Sequence, residues 1–212
     1  IFLLCYIPCS LLMMCVLPIT RAPDEVAHLI RAYLLSTGQF VPGKSIPFVY
    51  PDNLLENINR QNVTIHDLAL MKNLTLSGNM VDAGLGLNTA IYPLNSYFPQ
   101  AFGMAIISVF TNNRLAILYG GRVASWIASL LLFYYAIKIA PKGKGLLFML
   151  FMMPMTLQEA ISLSADGMTI GVVALFSSCF MRAYMNPHIY GKREKIGWFI
   201  LALGLATFKV MY

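Results

Sequence analysis

The first 20 residues of the chain, residues 1–20, form an apolar run without a single charged side chain. A helix of about 20 apolar residues is long enough to cross the hydrocarbon core of a bilayer. The whole chain is 58% hydrophobic and only 11% charged, which is typical of an integral membrane protein and unusual for a soluble domain. We therefore expect residues 1–20 to be the first membrane span.

Further apolar runs follow a long polar segment at residues 21–99. The predicted additional spans are residues 115–140, 146–157, 167–184 and 196–210. The run at residues 101–110 would reach only about 15 Å as a helix, against a hydrocarbon core of about 30 Å, so we predict an interfacial or re-entrant helix there. The sequence thus predicts an all-α, polytopic membrane helix bundle in one membrane domain, residues 1–212. It would have about five spans, one at residues 1–20 and four within residues 115–212, and interfacial helices in a long outer loop, residues 21–114.

Positive charge predicts the orientation of these spans, because cytoplasmic loops carry an excess of Lys and Arg. Two short loops are basic, and they lie on the same side if each predicted span between them crosses once. Their basic residues are Lys138, Lys142 and Lys144 in the first, and Arg182, Lys192, Arg193 and Lys195 in the second. The polar segment at residues 21–99 and the connection at residues 162–166 are then predicted to lie outside the cytoplasm.

Acidic side chains stand where these outer segments meet the predicted spans. Asp24 and Glu25 follow the first run, and Asp166 precedes the run at residues 167–184. A carboxylate near lipid loses hydration and becomes a stronger base, and paired carboxylates could instead hold a divalent cation. We therefore treat all three as catalytic candidates, and Asp24 and Asp166 also as candidate metal ligands. Ordinary alternatives are an acidic first turn of a helix over residues 24–36, and an N-cap formed by Asp166 or Ser164.

Three further polar residues are candidates for substrate binding. Arg122 lies inside the predicted span at residues 115–140, and Lys209 lies at the outer end of the last span. The forked donors of a guanidinium suit a phosphate, although both side chains could also snorkel to the membrane surface. His28 shares a helix face with Asp24 and could orient a carboxylate or the substrate, or it could be a surface imidazole.

Several short motifs follow one another along most of the 212 residues. They are Asp24-Glu25, Asn88-Thr89-Ala90-Ile91-Tyr92-Pro93, Tyr97-Phe98-Pro99-Gln100-Ala101-Phe102-Gly103, Tyr119-Gly120-Gly121-Arg122, Pro154-Met155-Thr156, Ser162-Leu163-Ser164-Ala165-Asp166 and Phe208-Lys209. This succession resembles the DUF2142 family of bacterial multi-spanning membrane proteins. That family in turn resembles the GT-C glycosyltransferases, such as protein O-mannosyltransferases and the lipid A aminoarabinose transferase. Since members of the family are longer, the resemblance also implies that this chain is the N-terminal half of a longer protein.

The resemblance implies a membrane glycosyltransferase at the outer face of the bacterial cytoplasmic membrane. It would transfer a sugar from a polyprenyl-phosphate-linked donor to a cell-envelope acceptor, with a divalent cation as its one possible cofactor. Asp24, with Glu25 beside it, would be the base or metal ligand, and Asp166 would be the second acid. The residues expected to bind substrate are His28, Tyr92, Gln100, Arg122 and Lys209.

Two other classes of function stay open on the sequence. A transporter or flippase for lipid-linked saccharides usually holds its charged site near the bilayer midplane, at broken helices of internal repeats. Here the acids cluster at the outer ends of the predicted spans, which favours the enzyme. A scaffold subunit of a wall-polymer complex would use the acids only structurally. Membrane lipid is an expected partner, whereas nucleic acid is not, because the chain has no basic patch interleaved with aromatic residues.

Overall fold

A computed structural model describes residues 1–40, 48–55, 66, 72, 74–76, 78–83, 89, 92–186 and 191–207. These residues are mostly helical. The helices are α1 (Phe2–Val16), α2 (Glu25–Ser36), α3 (Phe98–Phe110), α4 (Arg114–Ile139), α5 (Lys144–Phe151), α6 (Pro154–Ile161), α7 (Asp166–Met185) and α8 (Lys192–Ala206). Two short antiparallel strands, β1 (Val49–Pro51) and β2 (Met80–Asp82), and the 3₁₀ turns Asp52–Leu55 and Leu94–Tyr97 complete the described elements.

Two helices are long and apolar enough, by length and composition, to cross a membrane. They are α4, with 26 residues, and α7, with 20 residues. Both match the predicted runs at residues 115–140 and 167–184 to within one residue at each end, so these two helices are confirmed. Helix α1 is apolar but has only 15 residues, because the chain leaves the helix just before Pro18, whose preceding residue is driven to an extended conformation.

The run at residues 146–157 is predicted to be one continuous span, but the structure differs. It forms two helices of eight residues each, α5 and α6, separated at Met152 and Met153. Pro154 causes the break, because its ring lacks an N–H and clashes with the preceding turn, and it therefore starts a new helix instead of continuing the old one. Helix α8 starts four residues before the predicted run at residues 196–210, and residues 208–210 lie outside the described residues.

The start of α2 also differs in detail from its prediction. The helix over residues 24–36 is confirmed, but Pro23 lies before it and Asp24 is its N-cap residue. Asp24 has a left-handed backbone, with φ 55° and ψ 6°, and Thr20 has φ 74°. A left-handed backbone costs an L-residue about 1–2 kcal/mol, least for Asp and Asn. Two such residues within five positions make the turn between α1 and α2 sharp and strained.

Packing contacts set the directions of the helices. Leu163, just before α7, packs against Gly121, and Gly171 packs against Leu132, so α4 and α7 run in parallel. Helix α1 runs antiparallel to α4 and α7. Its early residue Tyr6 contacts Phe133 near the C-terminal end of α4. The N-termini of α2 and α7 therefore lie at one end of the bundle. The basic residues Lys138 and Arg182 lie at the other end, in the last turns of α4 and α7.

Helix α3 lies along the first half of α4 with an unusually close backbone approach. A Cβ added at Gly103 would lie 2.3 Å from the backbone oxygen of Gly120 and 2.6 Å from the Cβ of Ala124. Only glycine allows this approach, which fixes α3 against α4. The predicted short helix at residues 101–110 is therefore confirmed as a helix, extended to Phe98. Its interfacial or re-entrant placement stays a prediction.

Candidate functional site

Glu25 and Arg122 form an ion pair at the end of the bundle that holds the N-termini of α2 and α7. Both side chains are 0% exposed. The Arg122 Nε donates to Glu25 Oε1 at 2.9 Å, and Arg122 Nη2 donates to Oε2 at 2.7 Å, which is a bidentate arrangement. The backbone N–H groups of Thr20 and Leu163 donate to the same carboxylate at 2.8 and 3.2 Å.

The remaining donors of Arg122 bind the end of α1. Its Nη1 and Nη2 donate to the carbonyl oxygens of Leu17 and Pro18 at 2.8 and 3.0 Å. All three nitrogens of Arg122 and both oxygens of Glu25 therefore have partners. The pair joins α1, α2, α4 and the segment before α7, which is a structural role. A catalytic role for Glu25 and a phosphate-binding role for Arg122 stay predictions, and neither side chain has a spare hydrogen-bonding atom for them in this geometry.

Asp24 is placed differently from its neighbour Glu25. Its side chain is exposed and makes no capping hydrogen bond to α2, although its backbone oxygen accepts from the His28 N–H at 3.3 Å. An exposed carboxylate that makes no hydrogen bond within the described ranges is available to a substrate, and residues in rare backbone conformations concentrate at functional sites. Asp24 thus has the accessibility that a base or a metal ligand requires.

A second group of polar side chains, here called the polar cluster, comprises His28, Arg31, Tyr92, Tyr97, Gln100 and Asp166. His28 Nδ1 lies 2.6 Å from the Tyr97 hydroxyl, within hydrogen-bonding distance. The ring of Tyr92 stacks on His28, with ring centroids 5.9 Å apart and planes at 12°. Tyr97 is buried while Tyr92 is half-buried, so Tyr92 covers one face of the imidazole on the side of the cluster nearest to solvent.

Tyr97 is the residue that links α2 and α7 within the cluster. Burial raises the pKa of its hydroxyl, the nearby groups Tyr92 and Asp166 raise it further, and the Arg31 charge lowers it. These effects show that charges of both signs act on one hydroxyl. Tyr97 therefore stays neutral and can donate or accept a hydrogen bond between an acidic and a basic side chain.

Asp166 and Gln100 come from the N-termini of α7 and α3. Asp166 is the first residue of α7, and its N–H donates to the Ser164 Oγ at 3.1 Å. The N-cap residue is Ala165, so Asp166 is not the cap, and Ser164 satisfies this N–H instead. Gln100 Nε2 donates to the Ser164 backbone oxygen at 2.9 Å, while its Oε1 has no hydrogen-bond partner among the described residues.

The structure brings most of the predicted site residues to one end of the bundle. Lys209 lies outside the described residues, but Thr207, two positions before it, accepts a hydrogen bond from Asn95 at 2.8 Å, next to the turn that carries Tyr97. Within the described ranges, no three side chains from His, Cys, Asp and Glu come together as a metal-binding group. The predicted metal ligands Asp24 and Asp166 stay a prediction.

Two members of the polar cluster were not among the predicted site residues. Arg31 follows His28 by three positions, which places both on one face of α2. Tyr97 belongs to the motif Tyr97-Phe98-Pro99-Gln100, of which only Gln100 was a predicted substrate-binding residue. The signal for Arg31 was its spacing from His28, and the signal for Tyr97 was its place beside Gln100.

A family model described as a predicted membrane protein (DUF2142) matches residues 9–212. This range contains every predicted site residue. No curated protein and no solved structure matches the chain. These comparisons show no relation to GT-C enzymes, so that relation stays a prediction.

Proposed function

The chain belongs to the DUF2142 family of predicted membrane proteins, and on that premise we propose that it is part of a GT-C-like membrane glycosyltransferase. In this proposal α1, α4, the broken pair α5–α6, α7 and α8 are the five spans. The enzyme transfers a sugar from a polyprenyl-phosphate donor to a cell-envelope acceptor, at the outer face of the bacterial cytoplasmic membrane.

The observation that carries the proposal is the gathering of acidic and polar side chains at one end of the bundle. Asp24, Asp166 and the polar cluster lie at one end, and Lys138 and Arg182 lie at the other. Positively charged ends face the cytoplasm in membrane proteins, so the polar cluster would face outward. Large apolar side chains are exposed on several helices between these ends, as lipid contact would allow. Examples are Leu12, Val109, Leu146 and Phe199.

An apolar groove next to the polar cluster supports a lipid-linked donor. The groove lies between α3 and α4 and has a volume of about 590 Å³. Pro99, Phe102, Ile106 and Val123 are among its lining residues. Pro99, which lines the groove, directly precedes Gln100 of the polar cluster in the first turn of α3. A polyprenyl chain in this groove would present its phosphate to the polar side chains.

The proposed reaction is a single displacement at the anomeric carbon. The Asp24 carboxylate removes the proton from an acceptor hydroxyl, and the hydroxyl oxygen forms a bond to the anomeric carbon. The bond from that carbon to the phosphate oxygen breaks with its electron pair, and polyprenyl phosphate leaves as an anion. The configuration of the sugar is inverted, because attack and departure occur on opposite faces.

A divalent cation fits this site through its donor set. Mg²⁺ binds through one or two carboxylates together with water and substrate phosphates, so Asp24 and Asp166 would suffice as protein ligands. When bound, such an ion supplies positive charge to a leaving phosphate. Asp24 would then serve as a ligand of the ion instead of acting as a base.

A transporter or flippase is the second candidate, and the break between α5 and α6 is the observation in its favour. Broken helices form the substrate sites of many transporters. Here, however, the break is lined by Met152, Met153 and Pro154, none of which offers a charge to a saccharide or a phosphate. The polar groups lie at the bundle end, so sugar transfer is the better-supported function.

The test is transfer of radiolabelled sugar from a polyprenyl-phosphate donor in membranes that contain the full-length protein. Asp24→Asn keeps the size of the side chain and suits the left-handed backbone, but removes the proton-accepting charge. We expect the rate to fall by about 10²–10⁴-fold, with the amount of folded protein unchanged. Asp52→Asn is the matched control, because Asp52 is an exposed aspartate of the same polar segment. Wild-type turnover in Asp24→Asn would refute the assignment, and donor translocation without transfer would identify a flippase.

A further inference from the structure

Arg31 is a buried arginine that forms no ion pair with the described residues. Its side chain is 2% exposed. Nη2 donates to the Phe40 backbone oxygen at 3.1 Å, while Nε and Nη1 have no hydrogen-bond partner among the described residues. The guanidinium carbon lies 5.6 Å from the centre of the Phe48 ring, which interacts with the charge but accepts none of these N–H groups.

The two buried arginines Arg31 and Arg122 differ in how many of their nitrogens have hydrogen-bond partners. Both arginines are buried, but Arg122 uses all three nitrogens and faces the Glu25 carboxylate, whereas Arg31 uses one nitrogen and pairs with no acid in the described ranges. A buried charge is retained only if it is paired and hydrogen-bonded, and unmade hydrogen bonds to charged groups are costly. The buried Nε and Nη1 donors of Arg31 therefore lack the acceptor, among the described residues, that a bound anion would provide.

His28 and Tyr97 belong to the same polar cluster as Arg31. Arg31 and His28 share a face of α2, and the Arg31 charge acts on the Tyr97 hydroxyl, which lies 2.6 Å from His28 Nδ1. Asp166 acts on the same hydroxyl with the opposite sign.

We infer that Arg31 recognises a phosphate group through its Nε and Nη1 donors. The fork of a guanidinium matches two phosphate oxygens. This inference deepens the proposed function, on which the identity of the donor rests, because it assigns the donor phosphate to Arg31 instead of Arg122. An acceptor hydroxyl would then lie on the side of Asp24 and Asp166.

The test measures binding, not transfer. The full-length protein is purified in a maltoside detergent, which carries no phosphate, and is titrated with farnesyl phosphate, inorganic phosphate and farnesol. We expect saturable binding of farnesyl phosphate to the wild type. In Arg31→Gln the affinity should fall by about 10- to 150-fold, the loss expected for hydrogen bonds to a charged group. Arg182→Gln, which removes an exposed arginine at the opposite end of the bundle, should bind like the wild type.

The three probes distinguish the sources of the phosphate. If farnesyl phosphate binds more tightly than inorganic phosphate, and both lose affinity in Arg31→Gln, the ligand is a lipid-linked phosphate. Equal affinities that are lost together identify a soluble phosphate, and both results support recognition by Arg31. Wild-type affinity in Arg31→Gln, or no saturable phosphate binding to the wild type, would overturn the inference.

A stability measurement separates recognition from a structural role. Because the charge of Arg31 pairs with no acid among the described residues, Arg31→Met should leave the melting temperature of the ligand-free protein unchanged or raised, and should abolish the increase that farnesyl phosphate produces. A lower melting temperature with an undiminished ligand-induced increase would contradict the inference. If Arg31→Gln fails to fold, Arg31→Lys retains the charge without the fork, and unchanged affinity in that variant would equally overturn it.

The binding experiments and the transfer assay can refute the inference and the proposed function separately. Phosphate binding that depends on Arg31, without any sugar transfer, would refute the proposed function and leave the inference standing. Sugar transfer by a protein whose donor affinity does not change in Arg31→Gln would support the function and refute the inference.

Discussion

Removing one partner of the buried ion pair should destabilise the fold strongly. Glu25→Gln retains the shape of the side chain but leaves the Arg122 charge buried without a counter-ion. Breaking such a pair typically costs about 3–5 kcal/mol. The cost should lie toward the upper end, because the Glu25 carboxylate also accepts the backbone N–H groups of Thr20 and Leu163, and an amide nitrogen cannot accept them.

The partner variant provides the comparison that isolates the pair. Arg122→Met leaves the Glu25 carboxylate buried with only backbone donors, so we expect a loss of about 3–5 kcal/mol again. Once one charge is gone, removing the other should cost little. The double variant should therefore be about as stable as either single variant, which corresponds to a coupling energy of about 3 kcal/mol or more.

Trp126 provides the measurement. It lies one turn after Arg122 on α4, and its Nε1 donates to the Ser10 Oγ of α1 at 2.9 Å, so its fluorescence reports the contact between α1 and α4. Unfolding is followed in a Trp198→Phe background, with Asp24→Asn as a control expected within about 0.5 kcal/mol of the wild type. Additive losses in the double variant, or a loss below about 1 kcal/mol in Glu25→Gln, would refute the central role of the pair.

Three further outcomes are expected. The raised pKa of Tyr97 means that the folded protein keeps a proton which the unfolded chain releases above about pH 10, so the free energy of unfolding should fall as pH rises beyond that value. Tyr97→Phe should flatten this decline in pH-dependent melting curves, and an unchanged decline would contradict the assignment. Gly103→Ala places a Cβ 2.3 Å from a backbone oxygen of α4 and should cost roughly 1–3 kcal/mol in chemical unfolding. Gly145→Ala, with open space around it, should be neutral or stabilising by up to about 1 kcal/mol, and equal losses at both positions would argue against close packing of α3. In a cysteine-free background, Met80→Cys should react with an impermeant thiol reagent from outside the cell and Lys142→Cys only after permeabilisation, and the reverse pattern would invert the orientation.

The long helices could be predicted from sequence because their signal is local. An apolar run of some 20 residues has few stable alternatives in lipid, and α4 and α7 begin and end where their runs do. The break at Pro154 was visible in the sequence, but membrane helices tolerate proline, so composition does not decide whether the helix bends or ends there. The left-handed backbone of Asp24 follows from the sharp turn into α2, which only the packing of α1 beside it defines.

The site could be predicted as a set of residues, but its pairings could not. Glu25 and Arg122 were both candidate substrate or catalytic residues, and each appeared to be a charge in need of a ligand. The structure pairs them across a sequence separation of 97 residues, and no periodicity connects such distant positions. Arg31 appeared ordinary because its burial and its missing partners are tertiary properties. Sequence identified which end of the bundle is polar, while packing decides which charges remain available.

The large sequence separation between Glu25 and its partners Arg122 and Leu163 also has a consequence for biosynthesis. At about 5–20 residues per second, a ribosome needs about 5–20 s to make the 97 residues from Glu25 to Arg122, and longer to reach Leu163, 138 residues away. During that time α1 and α2 are already emerging, while the carboxylate that will join them to α4 has no counter-ion and must stay hydrated at the membrane surface. The contacts of Glu25 with Arg122 and Leu163 can therefore form only after those residues have been made. A nascent chain that stops before Arg122 is expected to present Glu25 to water, where quality-control proteases could distinguish it from the finished protein.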